Sequence, residues 1–179
     1  MELSEALNNR KSIRHYIDKK VDKSLLDEML SAANLAPSWK NSQTPRFYVA
    51  TGEKSKNAVR EALPEFNRKN SENASAYIVT TVVLNRSGFD KDGTAVTEIG
   101  NGWGYYDLGL NNMALLLKAT ELGISTLVMG IRDGEKLRKE FDIPETEAVV
   151  SVIAVGYTDS EIVRPKRKSV EDFAKFYED

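Results

Sequence analysis

Arg10, Lys11 and Arg14 crowd around Ser12 in the run NRKSIRHY, residues 9–16. Guanidinium forks of this kind hold phosphate or carboxylate oxygens two at a time. An extended backbone puts Arg10, Ser12 and Arg14 on one side, and a helix pairs Arg10 with Arg14 one turn later. Either geometry converges two cations on an anion. The plainer alternative is a solvated basic end to a first helix, favourable to its dipole. A second basic run, RPKRK at 164–168, lies far along the chain, and Lys166 and Lys168 alternate within it. Two basic islands in a chain of net charge −2 fit one shared small anion, with solvated surface or a nucleic-acid patch as the alternatives.

Neutral groups complement the cations. The stretch PSWKNSQTP, 37–45, carries Ser38, Asn41 and Gln43 as donors and acceptors, Trp39 as a flat apolar surface, and prolines at both ends. A site for a planar molecule with polar edges needs such a mixture, although Ser, Asn and Pro also belong to ordinary turn chemistry. In LGISTLVMG, Gly123 reads as the end of a helix and Gly130 as the end of a strand. Gly130 would equally let backbone N–H groups approach a ligand. There is no phosphate-binding GxxxxGK[ST] loop and no GxGxxG after a first strand. Zero cysteines exclude thiolate catalysis and disulfides, and the lone histidine, His15, sits among cations, a poor home for a base. No side chain stands out as a catalytic acid, base, nucleophile or metal ligand, so a bound cofactor is the better source of reactivity.

The elements that must position these residues follow from periodicity. Leu3, Ala6 and Leu7 mark a short helix ended by Asn8 and Asn9. Leu25, Leu26, Met29, Leu30 and Ala33 mark a longer one capped by Asp22 or Ser24. RFYVAT reads as a strand and EKSKNAVREAL as a helix. Residues 76–84, AYIVTTVVL, form a central strand buried on both faces. Residues 85–104 are a long loop, and 105–122 an apolar helix packing through Leu108, Leu115, Leu116 and Ala119, in the core or a subunit interface. STLVMG and AVVSVIAVGY are strands, Asp133 caps the helix GEKLRKEF, and Ser169 caps a last amphipathic helix. At 179 residues, with 41% apolar and 29% charged side chains, the chain reads as one soluble α+β domain spanning 1–179. No apolar run reaches the length of about 20 residues that spans a bilayer, and the start lacks signal-peptide layout. A cytoplasmic protein with no membrane or nucleic-acid partner is the expectation.

Four features in order resemble one family. They are Arg10-Lys11-Ser12-Ile13-Arg14, then Pro37-Ser38 with Asn41, Gln43 and Phe47, then a helix beginning at Asp107 whose following strand closes on Gly130, and last Lys166 and Lys168 after a strand ending in Val-Gly-Tyr. Together they resemble the FMN-dependent nitroreductase family, homodimeric NAD(P)H:flavin oxidoreductases. The resemblance implies a central, mainly antiparallel sheet flanked by helices, with a C-terminal extension reaching the partner subunit. It implies that Arg10, Ser12, Lys166 and Lys168 grip the FMN phosphate and ribityl chain, with Lys11 contributing its backbone. Arg14 would reach the N1/O2 edge of the ring and Asn67 its pyrimidine end. Val128, Met129 and Gly130 would offer backbone N–H groups. Pro37, Ser38, Trp39, Asn41 and Gln43 would arrive from the partner. The implied activity is ping-pong hydride transfer from NADH or NADPH to flavin N5 and on to nitroaromatic, quinone or flavin acceptors. Dehalogenation, flavin fragmentation, flavin storage and nucleic-acid binding remain the alternatives.

Overall fold

The structure, a computed structural model, describes residues 1–178. Its centre is one four-stranded antiparallel sheet in the order β1-β2-β4-β3, from β1 (Pro45–Ala50), β2 (Ala76–Val83), β3 (Ser125–Met129) and β4 (Glu147–Gly156). Helices α1 (Leu3–Asn9), α2 (Lys23–Asn34), α3 (Glu53–Glu61), α4 (Glu65–Asn70), α5 (Gly102–Glu121) and α6 (Gly134–Glu140) surround it, so the architecture is α+β.

The apolar continuity of β2 has its reason in this order. β2 and β4 are the inner strands and are covered on both faces, so neither alternates polar with apolar residues. One face packs Val59, Leu63, Leu127, Met129, Leu137 and Val152, which lie on or beside α3 and α6. The other packs Leu26, Met29, Ile78, Leu115, Ala119 and Ile153 beneath α2 and α5. Each such side chain, fully buried, contributes roughly 1.5–3 kcal/mol of transfer free energy. Asp133 caps α6 as its position predicts, accepting the Lys136 N–H at 3.1 Å. Gly123 leaves α5 with a φ of 70°, the left-handed exit that glycine makes cheaply.

Two expectations are corrected and one helix is added. α5 begins at Gly102, not at 105, because the helix accepts Gly102 and Gly104 in its first turn; a Cβ on Gly104 would lie 2.8 Å from the Val82 side chain. α4 carries no apolar period in its sequence, EFNRKN, and is a separate helix held by burial of Asn67. The helix after Ser169 is a single turn. Val170, Phe173, Phe176 and Tyr177 are exposed there, and a short helix without tertiary cover is marginal in water.

Candidate functional site

The opening basic run is extended, not helical. α1 ends at Asn9, Ser12 bridges Thr126 in parallel, and the Ile13 N–H donates to the Thr126 carbonyl at 3.0 Å. The segment therefore lies along the outer edge of β3. Burial of the Ile13 and Tyr16 side chains fixes it to the sheet, while Arg14 is exposed and folds one guanidinium N–H back to the Ser12 carbonyl at 3.3 Å. Lys11 is half-buried and lines a groove of about 540 Å³ between this segment, the start of β3 and residues 158–163.

The C-terminal run comes back to the same place. The Arg164 guanidinium donates to the Asn8 side chain at 3.4 Å, and Arg164 and Arg167 press their charge on Arg10. Partial burial first, then these two like charges, hold the Arg10 guanidinium below its ordinary pKa. Among the described residues, Arg10, Arg164 and Arg167 make no ion pair with a carboxylate. The Arg164 Nε is also buried without a hydrogen-bond partner. Three guanidiniums with no carboxylate partner among the described residues could together hold an anion. Lys166, Arg167 and Lys168 are all exposed and Arg164 is half-buried; of these, Arg164 and Arg167 press their charge on Arg10.

Further along β3, alternation places the Thr126 and Val128 backbone groups on the open edge and those of Met129 toward β4. Val128 is exposed, Met129 buried, and Gly130 follows the strand in open surroundings. Asn67 sits beside them, its buried side-chain amide donating to the Ile131 carbonyl at 3.2 Å. Arg10, Lys11, Ser12, Val128, Gly130 and Asn67 thus share one side of the molecule.

Pro37, Ser38, Trp39, Asn41 and Gln43 do not. They lead into β1, the opposite sheet edge, three strand spacings or about 14 Å from β3. Their loop is strained, with positive φ at Lys40 (45°), Asn41 (55°) and Gln43 (48°), each costing on the order of 1–2 kcal/mol for an L-residue. It is held from within. The Ser38 hydroxyl accepts the Gln43 N–H at 2.9 Å, and the Trp39 N–H donates to both carboxylate oxygens of Asp107 at 3.1 Å. Ser87 donates to the same carboxylate at 2.5 Å and meets Ser42 at 2.6 Å and Thr44 at 3.2 Å. The Trp39 ring packs on Trp103, 4.8 Å between centroids, with its Nε1 buried and unpartnered. Ser38 and Gln43 line a cleft of about 190 Å³ with Asn111 and Arg46. Sequence reasoning took Asp107 as a helix start and passed over Ser87; an isolated acid in an apolar helix was the available signal. His15 lies 3.4 Å from exposed Asp159.

Among the described residues no cluster of His, Asp or Glu could hold a metal, and no helix is long and apolar enough to cross a membrane. A protein of Methanothermobacter thermautotrophicus provisionally named NADH dehydrogenase/NAD(P)H nitroreductase is 28% identical over 161 residues, covering 88% of this chain and 78% of the relative. Two solved structures share the fold. A nitroreductase family protein of Streptococcus pneumoniae superposes with a TM-score of 0.85 at 22% identity, covering 98% of this chain and all of that one. A protein of Exiguobacterium sibiricum classed as a nitroreductase and solved in complex with FMN gives a TM-score of 0.85 at 21% identity, covering 99% of this chain and 98% of the other. The profile of the nitroreductase family matches residues 7–157, which takes in the Ser12 edge, the Asp107 helix and all four strands, and the chain belongs to that family.

Proposed function

We propose that the chain is an FMN-dependent NAD(P)H oxidoreductase of the cytoplasm, a single domain working as a homodimer. One observation carries this: Arg10, pressed by the charges of Arg164 and Arg167 and with no carboxylate partner among the described residues, lies two residues before Ser12, which bridges the open edge of β3. A terminal phosphate meets that donor set, since each guanidinium can hold two oxygens. When bound, FMN supplies hydride acceptance at N5 from NADH or NADPH and ping-pong delivery of the electrons to nitroaromatic, quinone or flavin acceptors. Ser12 adds a hydroxyl for the ribityl chain, and the Val128 and Gly130 N–H groups serve the ring. Arg14 releases the Ser12 carbonyl and turns to the ring edge, where a cation favours the reduced form. The partner subunit brings Trp39, Asn41 and Gln43, because one chain carries the two halves of the site on opposite sheet edges.

The test is optical. The purified full chain carries a yellow oxidised-flavin spectrum, bleached anaerobically by NADH or NADPH and restored by menadione or a nitroaromatic. Failure to bind FMN sinks the proposal. A flavin that neither nicotinamide reduces would instead make the protein a flavin store or an enzyme of different flavin chemistry.

A further inference from the structure

Asp107 is buried to 2% exposure in the second turn of α5, and no cation forms an ion pair with it among the described residues. Its charge is met by hydrogen bonds, and they come from two other segments: the Trp39 N–H and the Ser87 hydroxyl. Because the single Ser87 proton is directed to the carboxylate, Ser42 and Thr44 must donate to the Ser87 oxygen. Loop 38–44, the connection after β2 and the start of α5 therefore converge on one carboxylate. That loop holds three non-glycine residues at positive φ, a shape that persists only where its surroundings over-determine it.

We infer that Asp107 is a positioning residue. Its carboxylate keeps loop 38–44 in the left-handed shape that presents Asn41 and Gln43 at the surface beside half-buried Trp39, and Ser87 extends that hold to Ser42 and Thr44. Asp107 touches no reacting group; it acts through the loop. The functional half of this inference, that the held loop raises FMN affinity across the dimer, rests on the flavin reading above. The conformational half does not.

The chain has two tryptophans, Trp39 and Trp103, so a Trp103→Phe background leaves Trp39 as the sole reporter of the loop. In that background, Asp107→Asn preserves side-chain shape but turns an N–H toward one of its donors. Acrylamide quenching of Trp39 in the flavin-free full chain is expected to roughly double, with far-UV circular dichroism unchanged, because the loop opens locally rather than globally. The FMN dissociation constant, from flavin fluorescence, is expected to rise about tenfold or more. Unchanged quenching in a folded Asp107→Asn chain overturns the inference, whatever the flavin does. Increased quenching with unchanged FMN affinity overturns its functional half alone. If the parent chain binds no FMN, the flavin reading fails while the quenching comparison still decides Asp107. Should Asp107→Asn not fold, Ser87→Ala decides. It spares the Trp39 contact and cuts the tie to Ser42 and Thr44, so a smaller rise in quenching is expected and none is refuting.

Discussion

Arg164 and Arg167, not the lysines beside them, bear on Arg10. Replacing both with Ala is expected to weaken FMN binding at least tenfold, because a charge-assisted hydrogen bond contributes about 1.5–3 kcal/mol. Lys166→Ala with Lys168→Ala is expected to cost less, because neither lysine presses its charge on Arg10 as half-buried Arg164 and exposed Arg167 do. Fluorimetric titration compares the two double variants. Thermal melts of the flavin-free chains separate binding from folding: loss of the arginines relieves like-charge repulsion and leaves the melt unchanged or raised. Equal losses of affinity in both variants would remove the distinction. The sequence made the basic run visible but not its register. Lys166 and Lys168 were singled out both by alternation and by the resemblance, and alternation carries little weight here because the described tail belongs to no strand. Asp107 was hidden for a different reason, since its partners Trp39 and Ser87 lie 68 and 20 residues away in the chain.

At the scale of elements, β4 ends where the N-terminal segment crosses it. A Cβ on Gly156 would lie 2.8 Å from the Tyr16 ring and 3.3 Å from the Ser75 backbone nitrogen. The ring is buried and the backbone cannot yield, so Gly156→Ala overpacks the crossing. The cost expected is about 1–3 kcal/mol, a fall in melting temperature of roughly 2–12 °C by calorimetry. A variant as stable as the parent would mean that Tyr16 swings clear. All four strands were legible, because β-branched runs bounded by turn residues announce them, and so were α2 and α6, the latter with its Asp133 cap. α4 was not, since its one buried anchor is an asparagine, Asn67. The first turn of α5 was masked by glycines that serve close packing against Val82. The terminal turn was over-read, because an apolar period specifies a helix only where something covers it.

At the scale of the molecule, the sheet separates what the site needs. The guanidiniums and Ser12 sit at the β3 edge, the strained loop at the β1 edge. Motif order and the resemblance suggested both the membership of the proposed site and its division between two chains; the strand order that sets the two sheet edges apart was not legible in them. In the proposed two-fold dimer each chain would lend its β1 edge to one cofactor and its β3 edge to the other. Genetics can see this division. A chain crippled by Arg10→Ala and a chain crippled by Asp107→Asn, refolded together, pair at random. Each mixed dimer then holds one site with both defects and one with neither. At an FMN concentration too low to fill either variant alone, flavin capacity reappears at about a quarter of the wild-type level. Sites completed within a single chain would show no recovery at any mixing ratio. Two non-functional alleles of this gene would thus complement each other in one cell, a trait fixed by nothing more than the order in which four strands lie side by side.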